Sequence, residues 1–470
     1  MENSLSTNMI KRMALLAATV SSFLTPFMGS AINIALPSIG EEFALDAVVL
    51  AWVSTSFLVA AAVFLVPLGK MADIYGRKRI FTYGVLIFTL SSLVSAFSTS
   101  ATMLILSRIL QGIGGAMIFG TGVAILSSVF PPGERGRALG ISVAATYLGL
   151  SLGPFLGGFL TQHFGWRSIF LVNVPLGLVV AACIWKLKGE WAEAKGEGFD
   201  VAGSMVYGLA LTATMYGLTL LPALSGIWVI LVGVVGILAF IMWEARVKSP
   251  VLNIHLFRHN ASFTFSNLAA LINYSATFAV GFLLSLYLQY TRGLSPLYAG
   301  LILVSQPVVM VMVSPLAGRL SDRVEPRVVA SIGMALTTIG LVLLAFLGEN
   351  TALQFVLVAL IVLGFGFGLF SSPNTNAVMS SVEKRFYGVA SGTLGTMRLI
   401  GQMLSMGIAM LIFSIYIGRV QITPEYHAQL VSSLRTASAV FAVLCFAGIF
   451  ASLARGKVRQ NLPVEGARDG

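Results

Sequence analysis

Apolar runs long enough to cross a lipid bilayer recur along almost the whole 470-residue chain. Taken from one polar break to the next, the first eight fall near 13–36, 48–70, 79–98, 101–122, 137–161, 166–186, 201–221 and 226–244. Six more follow near 262–289, 296–317, 327–347, 352–375, 388–416 and 433–454. Each is close to the ~20 residues a helix needs to cross the ~30 Å hydrocarbon core. Lipid offers the backbone no hydrogen-bond partners, so repeated apolar segments of this length must be helices, and an all-α integral membrane protein is expected. Composition leaves little alternative. Only 10% of residues are charged and 57% are hydrophobic, whereas a soluble domain is ~25% charged. There is too little polar surface to cover a water-soluble globule of this length.

A net charge of +11 would suit a nucleic-acid binder, but its distribution gives another reading. With the N-terminus inside, the outer loops carry Arg167, Arg292, Arg419 and Arg435, and the spans carry Arg108 and Arg398. The rest of the 29 lysines and arginines fall on the inner side. This is a positive-inside topology signal: an even number of spans, both termini cytoplasmic, multi-pass insertion in the plasma (inner) membrane, and lipid rather than nucleic acid as partner. Lys11 and Arg12 precede a run from Met13 to Leu36 that is too long for a signal-peptide core, so it reads as a retained first helix. Cys183 and Cys445 lie in apolar runs and read as buried small hydrophobes. His163, His255, His259 and His427 fall at segment ends or in loops, so neither a metal cluster nor a cofactor is expected.

The chain repeats itself. Gly69, Lys70 and Asp73 match Gly318, Arg319 and Asp322 at an offset of 249, and Ala138, Gly140 and Gly149 match Ala390, Gly392 and Gly401 at 252. Two matches at nearly one offset imply duplicated halves of six helices. The expected organisation is a first bundle over 1–186, a linker with two extra spans over 187–258, and a second bundle with a short cytoplasmic tail over 259–470. In transporters built from such repeats the substrate site lies at mid-membrane, where the halves meet.

The loop after the second span reads Gly69-Lys70-Met71-Ala72-Asp73-Ile74-Tyr75-Gly76-Arg77-Lys78-Arg79. It resembles the cytoplasmic signature of the major facilitator superfamily. A glycine permits close helix approach, Asp73 can face an arginine or a helix N-terminus, and Lys70 and Arg77 to Arg79 supply counter-charge. Such a cluster, with Gly76 and the second-half counterparts Asp322 and Arg323, is expected to latch the state closed to the cytoplasm. The basic residues alone would also serve as topological anchors.

Span four carries Arg108-Ile109-Leu110-Gln111-Gly112-Ile113-Gly114-Gly115, similar to the family's RxxQG motif. At 1.5 Å per residue, Arg108 lies roughly 10 Å inside the membrane. An arginine there costs a few kcal/mol unless water, a partner or a substrate meets it. Span five carries Gly149, Gly153, Pro154, Gly157 and Gly158, which resembles the antiporter motif of the family's exporters. The small stripe is expected to pack tightly on a helix of the other half and seal one end of the pathway. The stretch Trp166-Arg167-Ser168-Ile169-Phe170-Leu171-Val172-Asn173-Val174-Pro175-Leu176-Gly177 is similar to one in the fourteen-helix drug:proton antiporter branch. The second half adds Ser372-Pro373-Asn374, Gly388-Val389-Ala390-Ser391-Gly392 and Arg398.

One departure bears on mechanism. The branch keeps an acidic residue five positions before the asparagine of a stretch present here as Asn33-Ile34-Ala35-Leu36-Pro37, yet the aligned residue is Met28. No carboxylate lies well inside any run, so Arg108 and Arg398 are the ionisable groups deep in the bundle. Coulomb's law then disfavours cations and tolerates neutral, zwitterionic or anionic amphiphiles. The resemblance implies a secondary exporter of small amphipathic compounds, monomeric, with protons as coupling ion and rocker-switch alternating access. Its pathway would include Asn33, Arg108, Gln111, Tyr147 and Arg398, with walls such as Phe27, Met28, Tyr274 and Phe278. The alternative is a dedicated transporter of one neutral or anionic metabolite with different or no proton coupling. A nucleotide-binding loop or nucleophile–base pair is lacking, so no enzyme is expected.

Overall fold

A computed structural model describes residues 2–187, 189–247, 249–252, 254–383 and 386–456, with the side chains of 2–8, 132, 255, 259 and 322 outside the description. Residues 457–470, the expected tail, lie outside the described residues. The elements are α1 (Glu2–Glu42), α2 (Ala47–Tyr75), α3 (Arg77–Ala96), α4 (Ala101–Val129), α5 (Pro132–Phe164) and α6 (Arg167–Trp185). Two further long helices follow, α7 (Val201–Leu220) and α8 (Leu224–Glu244), then the short α9 (Ile254–His259). The second half comprises α10 (Ala261–Leu286), α11 (Pro296–Leu303), α12 (Ser305–Arg323), α13 (Pro326–Ala345), α14 (Leu353–Ser380), α15 (Tyr387–Tyr416) and α16 (His427–Leu453). A π-helical stretch, Tyr287–Thr291, extends α10.

Among the described residues fourteen helical segments are long and apolar enough to span a membrane. The segment expected at 296–317 is one span made of α11 and α12, which meet at Val304. Helix ends are set by local chemistry. Asp46, Ser100, Asp200 and Asn260 cap α2, α4, α7 and α10, each side chain accepting from a backbone N–H of the first turn.

The duplication is visible in the packing. On α3 and α4, a Cβ added at Gly84 would lie 3.0 Å from Gly114 O, and one at Gly114 would lie 2.8 Å from Gly84 O. On α13 and α14, Gly333 and Gly366 repeat this, at 2.7 and 2.8 Å. Gly149 packs on the Phe23 backbone of α1, and its repeat partner Gly401 packs on the Leu271 backbone of α10. With no Cβ in the way, the backbones approach closely where a bilayer supplies no hydrophobic drive for association. The linker helices α7 and α8 pack on each other, with Gly217 against Gly226. Met215 and Leu218 of α7 reach Gly407 of α15.

Candidate functional site

The signature loop is positioned by a glycine. Gly76 ends α2 and starts α3 with φ at +120°, a conformation costly for any residue with a side chain. A Cβ there would also strike the Glu190 carboxyl group. Around this corner the segment between α6 and α7 forms a strap. Arg77 donates to Glu193 at 2.6 and 2.9 Å and to Asp73 at 2.9 Å, and it is buried. Lys70 pairs with Glu197 at 2.6 Å, and the Lys78 N–H donates to Glu190 at 2.8 Å. Lys78 also reaches the Leu187 carbonyl through its ammonium group. Backbone bonds complete the contact, Arg77 N–H to Trp191 O at 2.8 Å and Ala194 N–H to Asp73 O at 2.9 Å. Glu190, Glu193 and Glu197 did not stand out in the sequence, although three acids in a short inner loop were a usable signal. Gly69 faces open space: a Cβ there would meet nothing within 4 Å. Arg323 is exposed at the end of α12, and the side chain of Asp322 lies outside the described residues.

Arg108 is fully buried within the first half. Its Nε donates to Val53 O at 3.1 Å, Nη1 donates to Gln111 Oε1, and the guanidinium lies 4.6 Å from the Phe57 ring centroid. Gln111 in turn donates to Ser92 Oγ at 2.6 Å. Nη2 has no partner. The motif is thus a closed network between α2, α3 and α4 rather than a group lining open space. Met28 is buried, and its sulfur accepts from Asn173 Nδ2 at 3.1 Å, so a thioether–amide contact occupies the position where an acid was expected.

Arg398 lies about 16 Å along α15 from its first residue at 1.5 Å rise per residue. It donates through Nη2 to Thr375 Oγ1 at 2.8 Å and sits 5.6 Å from the Tyr274 ring centroid. Tyr147 is half-buried on α5. Three helices, α10, α14 and α15, meet at Arg398.

The end of the bundle that carries Glu42 and Asp46 is sealed between the halves. Ser285 donates to Asn33 O at 2.7 Å, Gln289 to Ile34 O at 3.0 Å, and Ala47 N–H to Val420 O at 3.0 Å. Asn33 itself accepts from Ser54 Oγ at 3.3 Å. The glycine stripe of α5 splits its work, which corrects the expectation of a single contact with the other half. Gly149, Gly153 and Gly157 pack on α1 of their own half, at Phe23, Ser30 and Ala31. Gly158 packs on Pro296, and Pro154 packs on Gly300, across to α11. The reason is helical spacing: residues four apart share one face, and Pro154 and Gly158 lie on the next. Toward the opposite end, added Cβ atoms at Gly140, Gly388 and Gly392 would meet nothing within 4 Å.

Residues 18–406 match the Major Facilitator Superfamily family profile, and a second match covers 266–469. The chain belongs to the major facilitator superfamily. Among curated members it is similar to the riboflavin transporter RibZ of Clostridioides difficile, 31% identical over 83% of this chain and 85% of that protein. It is also similar to the multidrug resistance protein Stp of Mycobacterium tuberculosis, 31% identical over 85% of this chain and 75% of Stp. Among solved structures, an inward-facing bacterial homologue of the lysosomal transporter Spinster superposes with a TM-score of 0.69, covering 95% of this chain and 97% of its own. At 17% identity that likeness concerns the fold alone. The family match makes the chain a membrane transporter.

Proposed function

We propose that the chain exports small amphipathic compounds across the plasma membrane by alternating access, with proton antiport as the energy source. The two moving bodies are 1–186 and 259–470, joined by 187–258, and both termini are cytoplasmic, as the positive-inside bias requires. One observation carries this reading: inter-half bonds seal one end at Asn33, Ile34 and Ala47 while glycines at the other end stand beside open space. That asymmetry suits a cytoplasm-open state of a rocking structure. The signature loop, held here by the strap that begins the linker, would leave the strap to latch onto the second half when the cytoplasmic end closes.

The similarity to Stp supports a multidrug substrate range. A second reading, a dedicated metabolite transporter, draws on the similarity to RibZ. Both are tested in everted vesicles energised to an acidic interior, using a lipophilic dye and riboflavin as cargo. Export by antiport predicts inward accumulation of dye that stops when the pH gradient is collapsed. Unchanged accumulation after collapse would remove proton coupling, and accumulation of riboflavin alone would favour the dedicated transporter.

A further inference from the structure

Arg398 is a cation without a counter-ion. Among the described residues it makes no ion pair, and its Nε is buried with no hydrogen-bond partner. One edge of the guanidinium is fixed. Thr375 Oγ1 accepts from Nη2 at 2.8 Å and donates its own proton to Ser371 O at 2.8 Å, so the hydroxyl cannot turn away. The face of the guanidinium is fixed by the Tyr274 ring at 5.6 Å, itself held edge-on by Phe367 at 5.3 Å. What remains is an oriented donor with no protein acceptor, in a place where leaving a charge unmet is costly. No carboxylate in the described structure stands in for the missing acceptor.

The site also adjoins the other half. Leu399, the residue after Arg398, packs against the apolar cluster of Leu65, Leu68 and Ala116 on α2 and α4. A ligand held here would contact the element that moves and the element it moves against.

We propose that Arg398, held by Thr375 and Tyr274, is an anion-accepting subsite that takes the carboxylate of an aromatic amphiphile. The aromatic body of the cargo stacks against Tyr274 and Phe367, and its carboxylate accepts from the guanidinium in place of water. This rests on the exporter reading for the direction of transport, but binding itself does not depend on direction or coupling.

The test uses the full chain in nanodiscs of zwitterionic lipid, so that no anionic headgroup competes. The probes are 1-pyrenebutyric acid, its methyl ester and 1-pyrenebutylamine, followed by fluorescence anisotropy. The acid is expected to bind about tenfold tighter than the ester, and tighter still than the amine, the size expected when one charge-assisted hydrogen bond is gained. Arg398→Gln should abolish the advantage of the acid over the ester, and Arg398→Lys should keep part of it. An unchanged thermal midpoint and elution profile show that each variant is folded. Equal affinities of the three probes for the native chain, or an acid preference that survives Arg398→Gln, would overturn the subsite. Loss of charge preference with intact dye export would sink the subsite and leave the exporter standing. Arg398-dependent binding of the acid with no transport in either direction would do the reverse.

Discussion

Arg77 and Glu193 form a two-bond pair, at 2.6 and 2.9 Å, between the signature loop of the first half and the strap that leads to the linker helices. The same guanidinium holds Asp73, so one side chain ties the family's signature to a segment outside it. On the proposed cycle the strap holds the loop in the cytoplasm-open state and would have to yield for the loop to engage the second half.

Weakening the strap should therefore favour the cytoplasm-closed state. With Glu193 exposed and screened by water, the pair is worth about 1 kcal/mol, or about fivefold in a conformational ratio. Glu193→Gln is expected to lower labelling of Gly392→Cys by a membrane-impermeant maleimide from the cytoplasmic side, by about two- to fivefold. Combining it with Glu190→Gln and Glu197→Gln should deepen the effect. Asp73→Asn acts on the latch itself and should cut transport several-fold with expression largely intact. Labelling that ignores all three glutamates would dissociate the strap from the cycle.

Glycines of the two kinds should behave oppositely. A Cβ at Gly114 would lie 2.7 Å from Phe88 N, in a contact that cannot relax without parting α3 from α4. Gly114→Val should cost about 1–3 kcal/mol and lower the thermal midpoint of the purified protein. Gly69→Ala meets nothing within 4 Å here, so its midpoint should stay within a degree or so of the native one. If Gly69→Ala nevertheless slows transport, the close approach it needs belongs to the cytoplasm-closed state. A large loss of stability in that variant would contradict the open space seen around Gly69.

Arg455, just past α16, is buried, and among the described residues its Nε and Nη1 have no hydrogen-bond partner while Nη2 donates to Ser452 Oγ at 2.7 Å. Burial pushes its guanidinium down to about 9, well below its ordinary value. The folded state thus binds this proton less tightly than the unfolded chain, so the charged form lowers stability below pH 9 and the loss is relieved as pH rises beyond it. Arg455→Met is expected to raise the thermal midpoint at neutral pH and to flatten its rise between about pH 8.5 and 10. A lower midpoint in Arg455→Met would mean the charge is met by a partner.

Much of this was readable along the chain. Fourteen apolar runs and the offset between Gly69 and Gly318 depend on spacing alone, and spacing survives in one dimension. The Gly84–Gly114 and Gly333–Gly366 contacts obey nearly the same offsets and were equally present in the sequence. They passed unnoticed because isolated glycines carry no pattern until two helices are laid together. Arg108 illustrates the opposite case. Its depth followed from the helical rise, but whether it faced open space or a closed network of Val53, Gln111, Phe57 and Ser92 depended on how α2 and α3 pack on α4.

The sequence by itself determined the solvent, the number of spans and the duplication, because a bilayer forces every crossing segment to be apolar, helical and of nearly one length. Tertiary structure alone decided which charges meet. Glu193 lies 116 residues from Arg77, and Tyr274 lies 124 from Arg398. Nothing local links such pairs, and ion pairing and cation–π contact act only over a few ångströms once the helices have packed.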